Sequence, residues 1–263
     1  MEDIIISGIQ YDIFWESPDK NILFLENDVL PKINPSDIMI FPEMFTTGFT
    51  LNAKAYAEPM NGASVQWLCD MAAQYHCHMV GSMIIDTKNS AKKYVNRLIW
   101  ARPDGNLSWY DKHHLFAIGD EHTIYSQGND WLIMTVKGWR IRPFICYDLR
   151  FPAWTRNRFP FFDVSIFIAN WPAKRINHWK SLLVARAIEN QCYIMGLNRT
   201  GTDGNRIHYN GNSIIVDPQG DIMQEPFSSS QLIKQSLSYS NLSNWRNQFP
   251  VLQDADEISF SYS

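Results

Sequence analysis

The sequence predicts an α/β fold of two mixed β-sheets covered by helices, and three observations lead to that class. Short apolar runs without alternation, at residues 38–41 and 164–169, read as strands buried on both faces, the habit of parallel strands. Stretches with helical periodicity, at residues 22–30, 65–73 and 180–190, alternate with these runs and supply the crossovers. Tight turns containing Pro, Asp and Gly join further strands as hairpins, so each sheet mixes parallel and antiparallel pairs.

In chain order, residues 4–9 are a β-branched strand. Ser17 then caps a helix with Pro18 at its first position, and Ile22, Leu23, Leu25, Val29 and Leu30 follow at helical spacing up to Pro31. The strand at residues 38–41 stops at Pro42-Glu43. Asn61-Gly62-Ala63-Ser64 opens a second helix, whose stripe of Val65, Leu68, Cys69, Ala72 and Ala73 turns Cys69 inward. Strands at residues 79–85, 94–101 and 107–110 come next, the last two paired through Arg102-Pro103-Asp104-Gly105-Asn106. A second hairpin joins residues 131–136 and 140–145 around Lys137-Gly138. The strand at 164–169, the helix at 180–190 and a strand at 193–197 lead to a third hairpin, residues 213–216 and 222–224 around Asp217-Pro218-Gln219-Gly220. No repeat or linker interrupts the series, so residues 1–263 read as a single domain. Its polar tail, from about residue 238, is free to dock on the domain or to reach a partner subunit.

Composition narrows the function. A chain of 263 residues with 45% hydrophobic and 14% aromatic residues is globular. A net charge of −4 offers no electrostatic case for nucleic acid or an anionic membrane, which leaves a small-molecule substrate. The acidic start and a six-residue apolar stretch fit neither a signal peptide nor a membrane span, so a cytoplasmic location is expected. Cys69, Cys77, Cys146 and Cys192 show no C-x-x-C spacing, and disulfides are not expected. His76-Cys77-His78 lacks further ligands at metal spacing, and G-x-G-x-x-G and P-loop motifs are absent, so no metal or nucleotide cofactor is implied. Trp67, Trp100, Trp109, Trp139, Trp154 and Trp179 read as core or subunit contacts.

Three reactive side chains share one kind of position. Glu43, Lys112 and Cys146 each follow directly on a predicted strand, where active sites of layered α/β folds gather. They lie within Phe41-Pro42-Glu43-Met44-Phe45, Asp111-Lys112-His113-His114-Leu115-Phe116 and Cys146-Tyr147-Asp148-Leu149-Arg150-Phe151-Pro152. These segments, in this order, resemble the three motifs of the nitrilase (carbon-nitrogen hydrolase) superfamily. The similarity continues through Asn170-Trp171-Pro172, residues 175–190 and Asn198-Arg199-Thr200-Gly201 to Phe249-Pro250 and Asp254-Ala255-Asp256. Within the superfamily the chain looks most like the omega-amidase branch, which hydrolyses 2-oxoglutaramate or 2-oxosuccinamate.

The resemblance implies a four-layer α-β-β-α sandwich, at least a homodimer, no cofactor, and a Glu43-Lys112-Cys146 triad acting on an amide and water. An amide carbon is a poor electrophile, so hydrolysis gains from attack by a thiolate followed by release with water. Lys112 is expected to lower the Cys146 pKa while Glu43 takes its proton. Lys112 and the Tyr147 N–H are expected to hold the oxyanion, with Glu43 acting in turn as base and acid. Glu121 matches the family's second active-site glutamate, next to Asp120. Arg175 is a candidate for the substrate carboxylate, with Trp171 as an apolar wall, while Lys174, Arg186 and Arg199 compete for that role. His113 and His114 adjoin the lysine without a papain-type pattern. Amidases for other carboxylate-bearing amides such as deaminated glutathione, carbamoylases, nitrilases, and a non-catalytic binding module remain the alternatives.

Overall fold

A computed structural model describes residues 1–224, 227–256 and 259, and in it two six-stranded sheets face each other. The first has the order β14 (Gln231–Leu237), β1 (Ile4–Gln10), β2 (Ile38–Ile40), β3 (His78–Asp86), β4 (Tyr94–Ala101), β5 (Leu107–Asp111). The second runs β13 (Ile222–Gln224), β12 (Ile214–Val216), β9 (Tyr193–Asn198), β8 (Val164–Ala169), β7 (Trp139–Ile145), β6 (Met134–Val136). Each has a parallel centre, β1-β2-β3 or β7-β8-β9, with antiparallel strands outside it. A short hairpin, β10 (Thr200–Thr202) and β11 (His208–Asn210), stands apart.

Period-two alternation sorts the first sheet's side chains. Ile4, Ile6, Ile38, Ile40, Val80, Leu98 and Trp100 join the second sheet's Phe144, Ile166 and Ile168 in one core between the sheets. Ile9, Met39, Met79 and Ile99 point the other way, onto Val65, Leu68 and Ala72 of the helix Ala63–Gln74. The helix Ile176–Asn190 covers the second sheet through Trp179, Leu183 and Ala187. The layers are therefore helix, sheet, sheet, helix. At Gly8 the sheets come so close that a Cβ would run into the side chains of Met195 and Leu197.

Several expectations need correction. The first helix is regular only over Pro18–Phe24, widens to a π-turn at Leu25–Val29 and ends in a 3-10 turn at Leu30–Lys32. Residues 131–133 are not strand, and the helix expected at 180–190 begins at Ile176. Cys69 is half-buried, because the bulkier Trp67 takes the inward place. Of the two places expected for Trp109, core or subunit contact, its 49% exposure on the edge strand β5, beneath the Arg97 guanidinium at 5.2 Å, leaves the second. The polar tail contains the helix Tyr239–Gln248, which docks on the domain through buried Leu242 and through Arg246. Arg246 pairs with Asp163 at 2.7 Å and donates to the carbonyls of Phe162 and Gln191. The last part of the tail, beyond residue 256, lies largely outside the described residues. Among the described residues no helix is long and apolar enough to cross a membrane.

Candidate active site

Both sheets contribute to one site, at the carboxyl ends of their parallel strands. Glu43 sits three residues past β2, Cys146 directly follows β7 and Asn170 directly follows β8. Lys112 follows the antiparallel β5, and Glu121 opens the short helix Glu121–Ile124. Glu43, Lys112 and Glu121 are at most 1% exposed. Lys112 Nζ lies 2.8 Å from Glu43 Oε1, and 2.9 and 3.0 Å from the two oxygens of Glu121. Glu43 also accepts from the backbone N–H of Asn170 at 2.9 Å, so the second sheet holds the carboxylate of the first.

Cys146 occupies a strained place. Its φ of +45° is left-handed, at the sharp turn from β7 into the 3-10 segment Cys146–Arg150. Asp148, fully buried, secures that turn by accepting the Ile145 N–H at 3.1 Å. The same carboxylate accepts Tyr110 Oη at 2.7 Å and the His114 N–H at 2.9 Å, and it lies 2.9 Å from His114 Nδ1. Asp148 thus ties the nucleophile's turn to the chain that carries Lys112. His113 and His114 face away from the thiol, stacked on Trp154 and Phe151 at 3.6 and 3.7 Å.

Electrostatics at this site run against one expectation. Burial pushes the Cys146 thiol well above its ordinary value, and Glu43 adds to the effect. Lys112 opposes it, but two carboxylates outnumber one ammonium. Burial would lower Lys112, yet Glu121 and Glu43 hold it above the ordinary lysine value. Burial also raises Glu121, against the pull of Lys112. A thiol raised in this way is matched to a neighbouring base that takes its proton as a bond forms.

Cys146 opens into a pocket of about 190 Å³ that Glu43 and Lys112 also line. Tyr147, Trp171 and Arg175 line it too, as the sequence led one to expect, and so does Arg150, which it did not. Trp171 is buried, and its indole N–H holds the Arg175 carbonyl at 2.9 Å. Arg175 lies over the Phe116 ring at 5.5 Å and Arg150 over Trp171 at 4.6 Å. Neither arginine has a carboxylate partner among the described residues. Burial and then the neighbouring Arg175 charge pull Arg150 below the ordinary guanidinium value. Asp203 also lines the pocket, but its oxygens are taken by the Tyr209 hydroxyl and the N–H groups of Asn205 and Ile207. The competing cations are elsewhere: Arg199 pairs with Asp12, Arg186 with Glu189, and Lys174 is exposed.

Sequence reasoning also missed Asn96, whose Nδ2 lies 2.9 Å from Glu43 Oε1 and 3.4 Å from Glu121 Oε1. Its signal was present, since it is the polar member of the inward stripe Asn96, Leu98, Trp100 on β4. Among the described residues no group of three His, Cys, Asp or Glu side chains is placed to hold a metal ion.

Comparison with known proteins agrees with this arrangement. The family model for carbon-nitrogen hydrolases matches residues 8–247. Omega-amidase YafV of Escherichia coli strain K12 is 40% identical, over 98% of this chain and 99% of that protein. The 2-oxoglutaramate amidase of Bacillus subtilis is 33% identical, over 95% of this chain and 96% of its own. The structure of XC1258 from Xanthomonas campestris, a CN-hydrolase superfamily protein with an arsenic adduct in its active site, superposes with a TM-score of 0.95. It is 40% identical, over 99% of this chain and 100% of that one.

Proposed function

The chain belongs to the carbon-nitrogen hydrolase family and is an amide hydrolase, and from that premise we propose that it is an omega-amidase with Cys146 as nucleophile. Its substrate is a short 2-oxo diacid monoamide, 2-oxoglutaramate or 2-oxosuccinamate, which it converts to the 2-oxo diacid and ammonia. The observation that carries the substrate class is the pair Arg150 and Arg175, two guanidiniums facing the pocket of Cys146 without an acid to neutralise them. A carboxylate at the far end of the substrate is the group such a pair favours. The names of the relatives agree with it.

In this reading Glu43 takes the thiol proton as sulfur adds to the amide carbon. The oxyanion receives hydrogen bonds from Lys112 and from the Tyr147 N–H, each worth about 3 kcal/mol in the transition state. Glu43 returns the proton to the departing ammonia, leaving a thioester. The same carboxylate then activates the water that releases the acid. Glu121 keeps Lys112 oriented, and Trp171 forms an apolar wall. The family reading extends to one catalytic domain over residues 1–263 and to a cofactor-free, cytoplasmic homodimer or higher oligomer, which analytical ultracentrifugation checks.

The deciding experiment is ammonia release from 2-oxoglutaramate beside glutamine, deaminated glutathione, N-carbamoyl amino acids and simple nitriles. The 2-oxo amide should give the highest kcat/KM. No turnover of it overturns the substrate, and turnover of none with no acyl adduct on Cys146 by intact mass leaves a binding module.

A further inference from the structure

We infer that Asn96 is a positioning residue for the acid–base groups, keeping the carboxylates of Glu43 and Glu121 turned toward Lys112. The inference rests on the reading of Glu43 as the base for Cys146. Asn96 is fully buried on the face of β4 that looks into the space between the sheets. Its Nδ2 reaches Glu43 Oε1 at 2.9 Å and Glu121 Oε1 at 3.4 Å, and its backbone carbonyl accepts the Lys112 N–H at 2.9 Å. Both partners of Nδ2 are acceptors, which settles which end of the carboxamide is nitrogen. One side chain and its own peptide therefore touch three of the site's four reactive residues.

The charge balance explains why a donor is needed there. Two buried carboxylates share a single ammonium, which leaves one negative charge uncompensated in a medium that penalises it. The other titratable groups that feel the charge of Glu43 are Cys146 from the turn after β7, Tyr125 from the segment after the short helix, and Tyr209 from β11, the two tyrosine hydroxyls bonding instead to the Thr50 carbonyl and to Asp203. Burial raises all three, so none carries charge at neutral pH and none supplies a positive one. Besides Lys112, the compensation falls to the backbone N–H and, at 3.4 Å, the side-chain amide of Asn170 on Glu43, the Phe116 N–H on Glu121, and the amide of Asn96 on both. A hydrogen bond donated to an ionised carboxylate favours the ionised form. Loss of Asn96 therefore moves proton release from the cluster to higher pH. Among the described residues its Oδ1 has no partner, so an apolar replacement of similar shape forfeits only the bonds of Nδ2.

The test is the rate at which iodoacetamide alkylates Cys146 as a function of pH, in the full chain, which requires no knowledge of the substrate. In Asn96→Leu the rising limb should lie about one pH unit above that of the wild type. In Asn96→Ser, whose hydroxyl stops about one bond length short of the position of Nδ2, it should move in the same direction. A lower rate with the limb unmoved means a purely structural role and overturns the inference. Where Asn96→Leu does not fold, an unmoved limb in Asn96→Ser overturns it equally. Glu43→Gln separates this inference from the reading beneath it. An unmoved limb in Glu43→Gln removes Glu43 as the base, whereas a limb that shifts there but in neither Asn96 variant overturns the role of Asn96 alone.

Discussion

Lys112 commits two of its three ammonium protons to one residue, Glu121, whose oxygens lie 2.9 and 3.0 Å from Nζ. The third goes to Glu43 at 2.8 Å, so at rest none is spare for a carbonyl oxygen. The bidentate grip of Glu121 is the one that can yield a bond and still keep its partner. Glu121→Gln offers Lys112 one acceptor in place of two and no charge. It should lower kcat on the order of a hundredfold with little change in KM, since the lost orientation matters most at the oxyanion. Steady-state kinetics at saturating amide checks this, and a kcat within a few fold of wild type would detach Glu121 from Lys112's work.

The two unneutralised arginines predict a divided kinetic effect. Arg175→Met and Arg150→Met should each raise KM for a diacid monoamide roughly ten- to a hundredfold, the value of a charge-assisted hydrogen bond. KM for a neutral short amide should stay within about threefold. Equal losses on both substrates would take the arginines out of carboxylate binding.

Asp148 makes a prediction about stability. Its carboxylate collects Tyr110, the His114 backbone and ring, and Ile145 without exposure to solvent. Asp148→Ala strands these donors and frees the turn at Cys146, so unfolding should become easier by about 3 kcal/mol. Urea denaturation reads the loss. A variant as stable as the wild type would show that water replaces the carboxylate at no cost.

The buried thiols predict a loss of stability in alkali. Burial raises Cys77 from 9.0 to about 11, and raises Cys192 as well. Above pH 9 the unfolded thiols release protons that the folded ones keep, so the unfolded state binds fewer protons and is favoured as pH rises. The stabilisation is fully present below pH 9 and declines above it, by roughly 1.4 kcal/mol per pH unit for each such thiol. Equal urea midpoints at pH 7.5 and pH 10 would contradict this.

The layers were legible in the sequence for a physical reason, whereas Glu43, Lys112 and Cys146 were singled out together only by the resemblance of their motifs. Strands buried on both faces carry their own apolar runs, and a run that stops abruptly marks the sheet end where Glu43, Lys112 and Cys146 emerge. The hairpin of β10 and β11 and the helix Tyr239–Gln248 left no such trace, because the strands have three residues each and the helix is mostly polar. Asn96 and Asn170 act through single amides that spacing cannot single out. The elevated thiol of Cys146 depends first on how the fold removes it from water and then on charges assembled from distant parts of the chain. For Trp109 the choice between core and subunit contact stayed open, because composition does not say which face of an edge strand meets solvent.

The close approach at Gly8 gives the enzyme a built-in gauge of the gap between its halves. Glu43 and Lys112 ride on one sheet while Cys146 and Asn170 ride on the other, so their spacing is only as constant as that gap. A residue such as Leu at position 8 would act as a shim against Met195 and Leu197. Turnover should fail in Gly8→Leu while circular dichroism still reports intact strands and helices. Glycine at this point is thus a requirement of alignment as much as of packing.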